Sequence, residues 1–295
     1  MRVLVLYNPA ARRCNQSILE LLQKDSTQAG WSLLLSATSS LKDAYDQAVQ
    51  AVKEDIPLVV AAGGDGTVNS IASALIGSNT QLGILPLGTA NILARNLGIS
   101  VTNQAAALKM LFTSHPRLLD VGKLGSSCFT AMAGIGLDAK VALDASPWLK
   151  KKLGTFAYAL QFPLTSLRYR RPQYKLSLAS GEVLYDGPAW GLIATNFPHY
   201  SYRLPLAPHA QSDDGLLDFL LFRGASLPKL ITQVARSFFA NSPLPKHTDV
   251  LTFQSDSLEV ETDPASPVEA DGELIGNTPC KFEVMKAALT VLAPQ

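Results

Sequence analysis

A mostly parallel α/β domain followed by an antiparallel β-sandwich is the fold class this sequence predicts, and three observations predict it. Over the first third of the chain, short β-branched runs alternate with helical periods. After about Asp120, strand-like runs separated by turn residues dominate. At 295 residues the chain is about as long as a single core becomes before it divides, so two domains are expected, 1–122 and 123–295.

Val3 to Tyr7 is the first strand, ended by Asn8-Pro9, because Pro9 cannot continue a ladder. Arg12 and Arg13 follow at the mouth of a helix. Ser17 with Glu20 reads as its capping box, and Ile18, Leu21 and Leu22 form its apolar face. Trp31 to Leu35 is the second strand, with Thr38 just beyond it. Ser40 with Asp43 caps the helix marked by Leu41, Ala44, Tyr45, Ala48, Val49 and Val52. Leu58 to Ala62 is the third strand and Leu82 to Leu85 the fourth; Leu93, Ala94 and Leu97 suggest a short helix after it.

In the second part, strands are expected at Cys128–Ala133, Tyr174–Leu178, Trp190–Ala194, Leu216–Phe222, Val250–Phe253, Leu258–Glu261, Lys281–Val284 and Leu289–Leu292. Helices interrupt them over Pro147 to about Tyr169 and from Ser226-Leu227-Pro228 onward.

The third strand runs into Gly63-Gly64-Asp65-Gly66-Thr67-Val68-Asn69, and Val68, Ile71, Ala72 and Leu75 then recur at helical spacing. A strand, a glycine turn and a helix N-terminus together suit a phosphate. Asp65 could hold a hydrated Mg²⁺ on it. Taken alone, the loop reads first as a tight turn whose backbone Asp65 and Thr67 satisfy, and only the later motifs reverse that preference. In a parallel sheet, ligands bind at the carboxyl ends of the strands, and that rule gathers Asn8, Thr38, Gly63–Asn69 and Thr89 along one edge.

Composition excludes other classes. Lys plus Arg number 25 against 24 Asp plus Glu, so bulk charge does not point to nucleic acid. Cys14, Cys128 and Cys280 lack metal spacing and read as packed thiols of a reduced, cytoplasmic protein. His115, His199, His209 and His247 also lack metal spacing. The run Met1–Tyr7 is too short for a signal peptide, and no apolar run approaches the ~20 residues of a membrane span, so any membrane contact is expected to be peripheral.

The ordered motifs resemble the diacylglycerol kinase catalytic family, in its bacterial soluble lipid kinase branch. They are Gly63-Gly64-Asp65-Gly66-Thr67, Pro86-Leu87-Gly88-Thr89-Ala90-Asn91 through Arg95, Asp120-Val121-Gly122, Gly134-Ile135-Gly136-Leu137-Asp138-Ala139, Ala207-Pro208 with Asp214-Gly215-Leu216, and Asp271-Gly272-Glu273. The resemblance implies an N-terminal domain related to phosphofructokinases and NAD kinases, a β-sandwich on the acceptor side, and an active site in the cleft between them. It implies an ATP- and Mg²⁺-dependent kinase acting on a lipid hydroxyl, such as that of diacylglycerol.

By that resemblance, Asn8, Thr38, Gly63–Asn69 and Thr89 line the ATP pocket, and Arg13 lies near the phosphates. Asp271 is the general base, with Glu273 to orient it, bind metal or hold a water. Gln211, Asp214 and Leu216 hold a structural Mg²⁺ through one carboxylate and two main-chain carbonyls. The chain departs from the family at Ile92, where relatives often carry an acid. The expected partners are the lipid substrate and, through the lysines and aromatics of Pro147–Tyr169, an anionic membrane surface touched transiently at the inner face; self-association into a homodimer is left open. A kinase of a small soluble alcohol and a non-catalytic nucleotide- or lipid-binding regulator are the rival readings.

Overall fold

Val3, Val5 and Leu6 are almost wholly buried because β1 (Arg2–Tyr7) has a parallel strand on either side. The computed structural model describes residues 1–146, 156–201, 204–224, 226–244 and 249–294. After β1 come α1 (Gln16–Gln28), β2 (Ser32–Ala37), α2 (Leu41–Lys53), β3 (Leu58–Gly63), α3 (Asp65–Leu75), β4 (Gln81–Pro86), the short α4 (Ile92–Asn96) and α5 (Gln104–Thr113). The strands run parallel in the order β2-β1-β3-β4. All six residues of β3 are buried, as expected of a central parallel strand covered on both faces.

The caps explain the helix starts. Ser40 accepts the Asp43 N–H at 3.1 Å, and the Asp43 carboxylate reaches back to the Ser39 N–H and hydroxyl. In α1 the cap is Asn15, which accepts the Ile18 N–H at 3.0 Å; Ser17, expected as the cap, lies inside the helix. Helix α5 was not expected at all, since its Ala-rich run Gln104–Thr113 carries little polar contrast between faces; Asn103 caps it by accepting the Ala106 N–H.

Beyond this point the pairing is antiparallel, except where the end of the last strand pairs parallel with β4. The strands are β5 (His115–Leu124), β6 (Ser127–Phe129) and β7 (Met132–Gly136), then α6 (Leu137–Asp144) and α7 (Phe156–Arg168), β8 (Gln173–Leu178), β9 (Val183–Pro188), β10 (Gly191–Thr195), β11 (His199–Ser201), β12 (Leu204–Pro205) and β13 (Leu217–Phe222). Helix α8 (Leu227–Ala240) precedes β14 (Val250–Ser255), β15 (Ser257–Asp263), β16 (Pro267–Ala270), β17 (Glu273–Asn277) and β18 (Cys280–Ala293). One sheet has the order β14-β13-β10-β7-β16-β17; facing it, the first half of β18 pairs with β15, which continues to β8 and β9. Phe129, Tyr174, Leu192, Phe219, Leu258, Val260 and Phe282 fill the space between them, with Phe219 stacked on Phe253 and edge-on to Phe282 at 5.3 Å.

The chain separates into two compact units, Met1–Leu119 with Lys286–Gln295, and Asp120–Met285. This differs from the division 1–122 and 123–295. The two strands expected at Lys281–Val284 and Leu289–Leu292 are one long strand, β18, whose apolar end returns to the first unit and sets Val291 beside Leu82 of β4. The strand expected at Cys128–Ala133 is instead two, β6 and β7, interrupted at Thr130-Ala131. The three cysteines are free thiols, and burial pushes the Cys280 thiol up to about 12. Among the described residues, no helix is long and apolar enough to cross a membrane.

Candidate functional site

Strand register places the expected donor residues side by side. Tyr7 pairs with both Ala37 and Ala62, and Gly63 with Pro86, so Asn8, Thr38, the Gly63 turn and the Gly88 turn leave the sheet at the same carboxyl edge. Asn8 donates its N–H to the Ala62 carbonyl, accepts the Ala10 N–H on Oδ1, and points Nδ2 at Thr67 Oγ1, 3.5 Å away. Thr38 is buried and bonded to the Tyr7 carbonyl through its N–H.

The two glycine turns pack backbone to backbone. A Cβ on Gly88 would collide with the Gly64 Cα, and one on Gly63 would meet the Thr67 side chain at 2.6 Å. Only glycine allows this approach. The Asn91 side chain accepts the Gly88 N–H and donates to the Gly88 carbonyl, bracing the turn that leaves Thr89 exposed at its tip.

Asp65 joins the turns. Its two carboxylate oxygens accept the N–H groups of Asn91 and Ile92, at the start of α4. Burial lifts its pKa above the ordinary carboxyl range, while those two bonds and the Arg95 charge oppose the rise. The departure at Ile92 therefore leaves this main-chain bond intact. Helix α3 begins at Asp65 behind Gly64, with no side chain capping it, while Gly66 is exposed in its first turn. The expectation that Val68 lines the ligand is corrected: its side chain is in the core and its N–H is spent on the Gly64 carbonyl. Asn69 follows in the same helix, half-buried. The Arg13 N–H donates to the Leu87 carbonyl, and its guanidinium donates to the carbonyl of Val101.

In the second unit, Asp271 sits at φ +47° in the turn between β16 and β17. Its carboxylate accepts the N–H groups of Thr130, Ala131 and Met132 at 2.7–3.0 Å and the Thr130 hydroxyl at 3.1 Å, which is why β6 and β7 break there. Burial raises its pKa and these four donors pull it back. The 130–132 backbone orients Asp271, so of the three roles expected for Glu273, orienting Asp271, binding metal or holding a water, the first falls to main-chain groups. Glu273 is exposed at the start of β17.

Sequence reasoning assigned no role to the carboxyl pair beside this turn. Asp138, in the first turn of α6, and Glu269, on β16, are hydrogen-bonded to each other. Asp138 also accepts the Tyr200 hydroxyl, and Glu269 accepts the Gly272 N–H at 2.6 Å. Burial, then the neighbouring Asp138 charge, holds Glu269 well above its usual range; burial raises Asp138 too. One signal for Glu269 existed, a charged residue inside the buried run Val268-Glu269-Ala270.

The loop 211–216 is braced by Asp120, whose N–H donates to the Ser212 carbonyl and whose carboxylate accepts the Gly215 N–H at 2.6 Å. Asp214 is exposed and accepts the Leu216 N–H at 3.0 Å. A carboxylate with two main-chain carbonyls, those of Gln211 and Leu216, is a hard-oxygen donor set that fits Mg²⁺ completed by water. No cluster of three His, Cys, Asp or Glu side chains suited to a metal occurs among the described residues. The basic segment Lys150–Lys152 lies outside them.

Comparison with known proteins gives the family of the two domains. Residues 2–124 match the diacylglycerol kinase catalytic domain, and 131–293 match the YegS C-terminal NAD kinase beta sandwich-like domain. The chain is 33% identical over 273 residues to a Chromohalobacter salexigens protein named "Probable lipid kinase YegS-like", covering 91% of this chain and 86% of that one. It is 26% identical over 298 residues to a diacylglycerol kinase of Bacillus subtilis, covering 100% and 97%. The crystal structure of a diacylglycerol kinase from Bacillus anthracis superposes with a TM-score of 0.79 at 25% identity, covering 99% and 96%.

Proposed function

The chain belongs to the diacylglycerol kinase catalytic-domain family, and from that premise we propose that it transfers the γ-phosphoryl group of ATP to a hydroxyl of a lipid such as diacylglycerol. The observation that carries the reading is the pair of glycine turns at the ends of β3 and β4, tied together by Asp65 in front of the uncapped N-terminus of α3. Uncapped N–H groups and the helix dipole favour phosphate there, and the glycines at 63, 64 and 88 let the two turns close on Thr67 and on each other in front of that helix end.

ATP with Mg²⁺ supplies the transferable phosphoryl group and the charge that steadies its transfer. Asp65 accepts the Asn91 and Ile92 N–H groups and its own N–H; the lone pair left over suits a water of the hydrated ion. Thr38, Thr89 and Asn8 edge the same site, and Arg13 adds positive charge beside it.

For the acceptor's proton, we favour Glu273 over Asp271. All four donors around Asp271 point at its lone pairs, so taking a proton would break one of those bonds, whereas Glu273 is exposed. Asp271 then serves to hold the turn that presents Glu273. Gln211, Asp214 and Leu216 would hold a structural Mg²⁺.

The test is incubation with labelled ATP, Mg²⁺ and a panel of diacylglycerol, phosphatidylglycerol and sphingoid bases. A phosphorylated lipid is the expected product. Nucleotide binding without any product would overturn the kinase reading in favour of a regulator.

A further inference from the structure

Helix α7 is turned inside out. Leu160, Leu164 and Leu167 are 57%, 62% and 85% exposed, and their spacing of four and then three residues puts them on one stripe. Thr165 and Ser166, on the other side, are each 4% exposed. The Thr165 hydroxyl donates to Asp144 at 2.9 Å and accepts from Gln161 at 3.2 Å. A helix that only faced water would put its leucines inward and its threonine outward. Three aligned leucines left in water imply an apolar partner.

Charge identifies that partner. Between Asp144 and Glu182 the sequence has no acidic residue and seven basic ones: Lys150, Lys151, Lys152, Arg168, Arg170, Arg171 and Lys175. Arg171 is spent on the Gly224 carbonyl and the Trp190 ring, and Lys175 pairs with Glu261. Arg168 and Arg170 are exposed at the C-terminal end of the leucine stripe. With Lys140, Asp144, Gln161 and Thr165 they line an open groove of about 740 Å³ that flanks the leucine stripe; Lys140 there is paired with Asp144 at 2.6 Å, and the Arg168 charge also acts on Asp144. A second copy of the chain would bring the same positive charges together, which disfavours self-docking.

We propose that this face docks the protein on an anionic lipid surface, with Leu160, Leu164 and Leu167 entering the acyl boundary and Arg168 and Arg170 meeting headgroup phosphates. The proposal deepens the lipid-kinase reading and rests on it for its purpose, since a kinase of membrane lipids must reach them.

The test is flotation of the full chain with vesicles of phosphatidylcholine and phosphatidylglycerol, mixed about two to one, against phosphatidylcholine alone. Binding to the anionic vesicles is expected, weakened about tenfold or more by L160Q/L164Q/L167Q. R168Q/R170Q should remove its salt-sensitive part. Turnover of detergent-dispersed diacylglycerol and the melting temperature should be unchanged in both variants.

Wild-type flotation by either variant would overturn the proposal, as would a dimer that the leucine substitutions dissociate without affecting flotation. Leucine-dependent flotation in a protein that phosphorylates no lipid would uphold the docking face and count against the kinase reading alone.

Discussion

The carboxyl groups of Asp138 and Glu269 are hydrogen-bonded to each other beneath Gly134, where a Cβ would strike the Asp138 carboxylate and come within 2.9 Å of Glu269 Oε1. Two buried carboxyls in contact do not both ionise readily, so the pair retains a proton that exposed acids would lose.

Stability should therefore fall with rising pH in a defined window. Folding raises the affinity of Glu269 for its proton, so the folded state binds more protons than the unfolded state above the ordinary carboxyl value. The stabilisation is complete below about pH 4.5 and is lost as pH rises through the raised value of the folded state. Glu269→Gln, whose amide can still donate to Asp138 and accept from Gly272, should flatten that slope. Urea midpoints measured across the acid-to-neutral range check it; an unchanged slope would show that the pair shares no proton.

Removing the Asp65 carboxylate should loosen the second glycine turn. Asp65→Ala leaves the Asn91 and Ile92 N–H groups without their acceptor, a loss of about 1–2 kcal/mol by analogy with other caps. ATP should then protect the variant less against thermal unfolding than it protects the wild type. Asp65→Asn keeps one acceptor oxygen and should recover part of the stability.

Gly88→Ala should be worse than its single methyl group suggests. The new Cβ meets the Gly64 backbone, which cannot swing aside as a side chain could. A cost of about 1–3 kcal/mol is expected, together with loss of nucleotide protection. Gly125→Ala is the contrasting case: it carries the strain of a positive φ that Gly88 does not have, but its Cβ would enter open space, so nucleotide protection should stay intact.

Glu273→Gln and Asp271→Asn separate the two acids of the corner. Glu273→Gln should lower kcat by ~10²–10⁴-fold, the range for a lost general base, with the melting temperature unchanged. Asp271→Asn turns an NH₂ group toward main-chain donors and should cost about 2 kcal/mol of stability. Full turnover in Glu273→Gln with turnover lost in a stable Asp271→Asn would return the base to Asp271.

What could be read from the chain was local. The β-branched run Leu58–Ala62 announced its strand, Ser40 and Asp43 announced a helix start, and the glycines of 63–66 announced a close backbone approach. Helix α5 escaped because an Ala-rich run shows little difference between its faces. Val68 was misassigned because helical spacing places a residue in the first turns without saying which N–H groups those turns consume.

The α/β-then-sandwich order and the parallel edge that gathers Asn8, Thr38, Gly63 and Thr89 were determined by sequence alone, because periodicity and glycine spacing encode backbone geometry within a few residues; the family was legible only through the resemblance of its ordered motifs. Which acid does what was decided only by tertiary structure. Asp65 meets its partner N–H 26 residues away and Asp271 its own 140 residues away. A carboxylate's donors, burial and remaining lone pairs are properties of the space around it, and only the folded chain assembles that space.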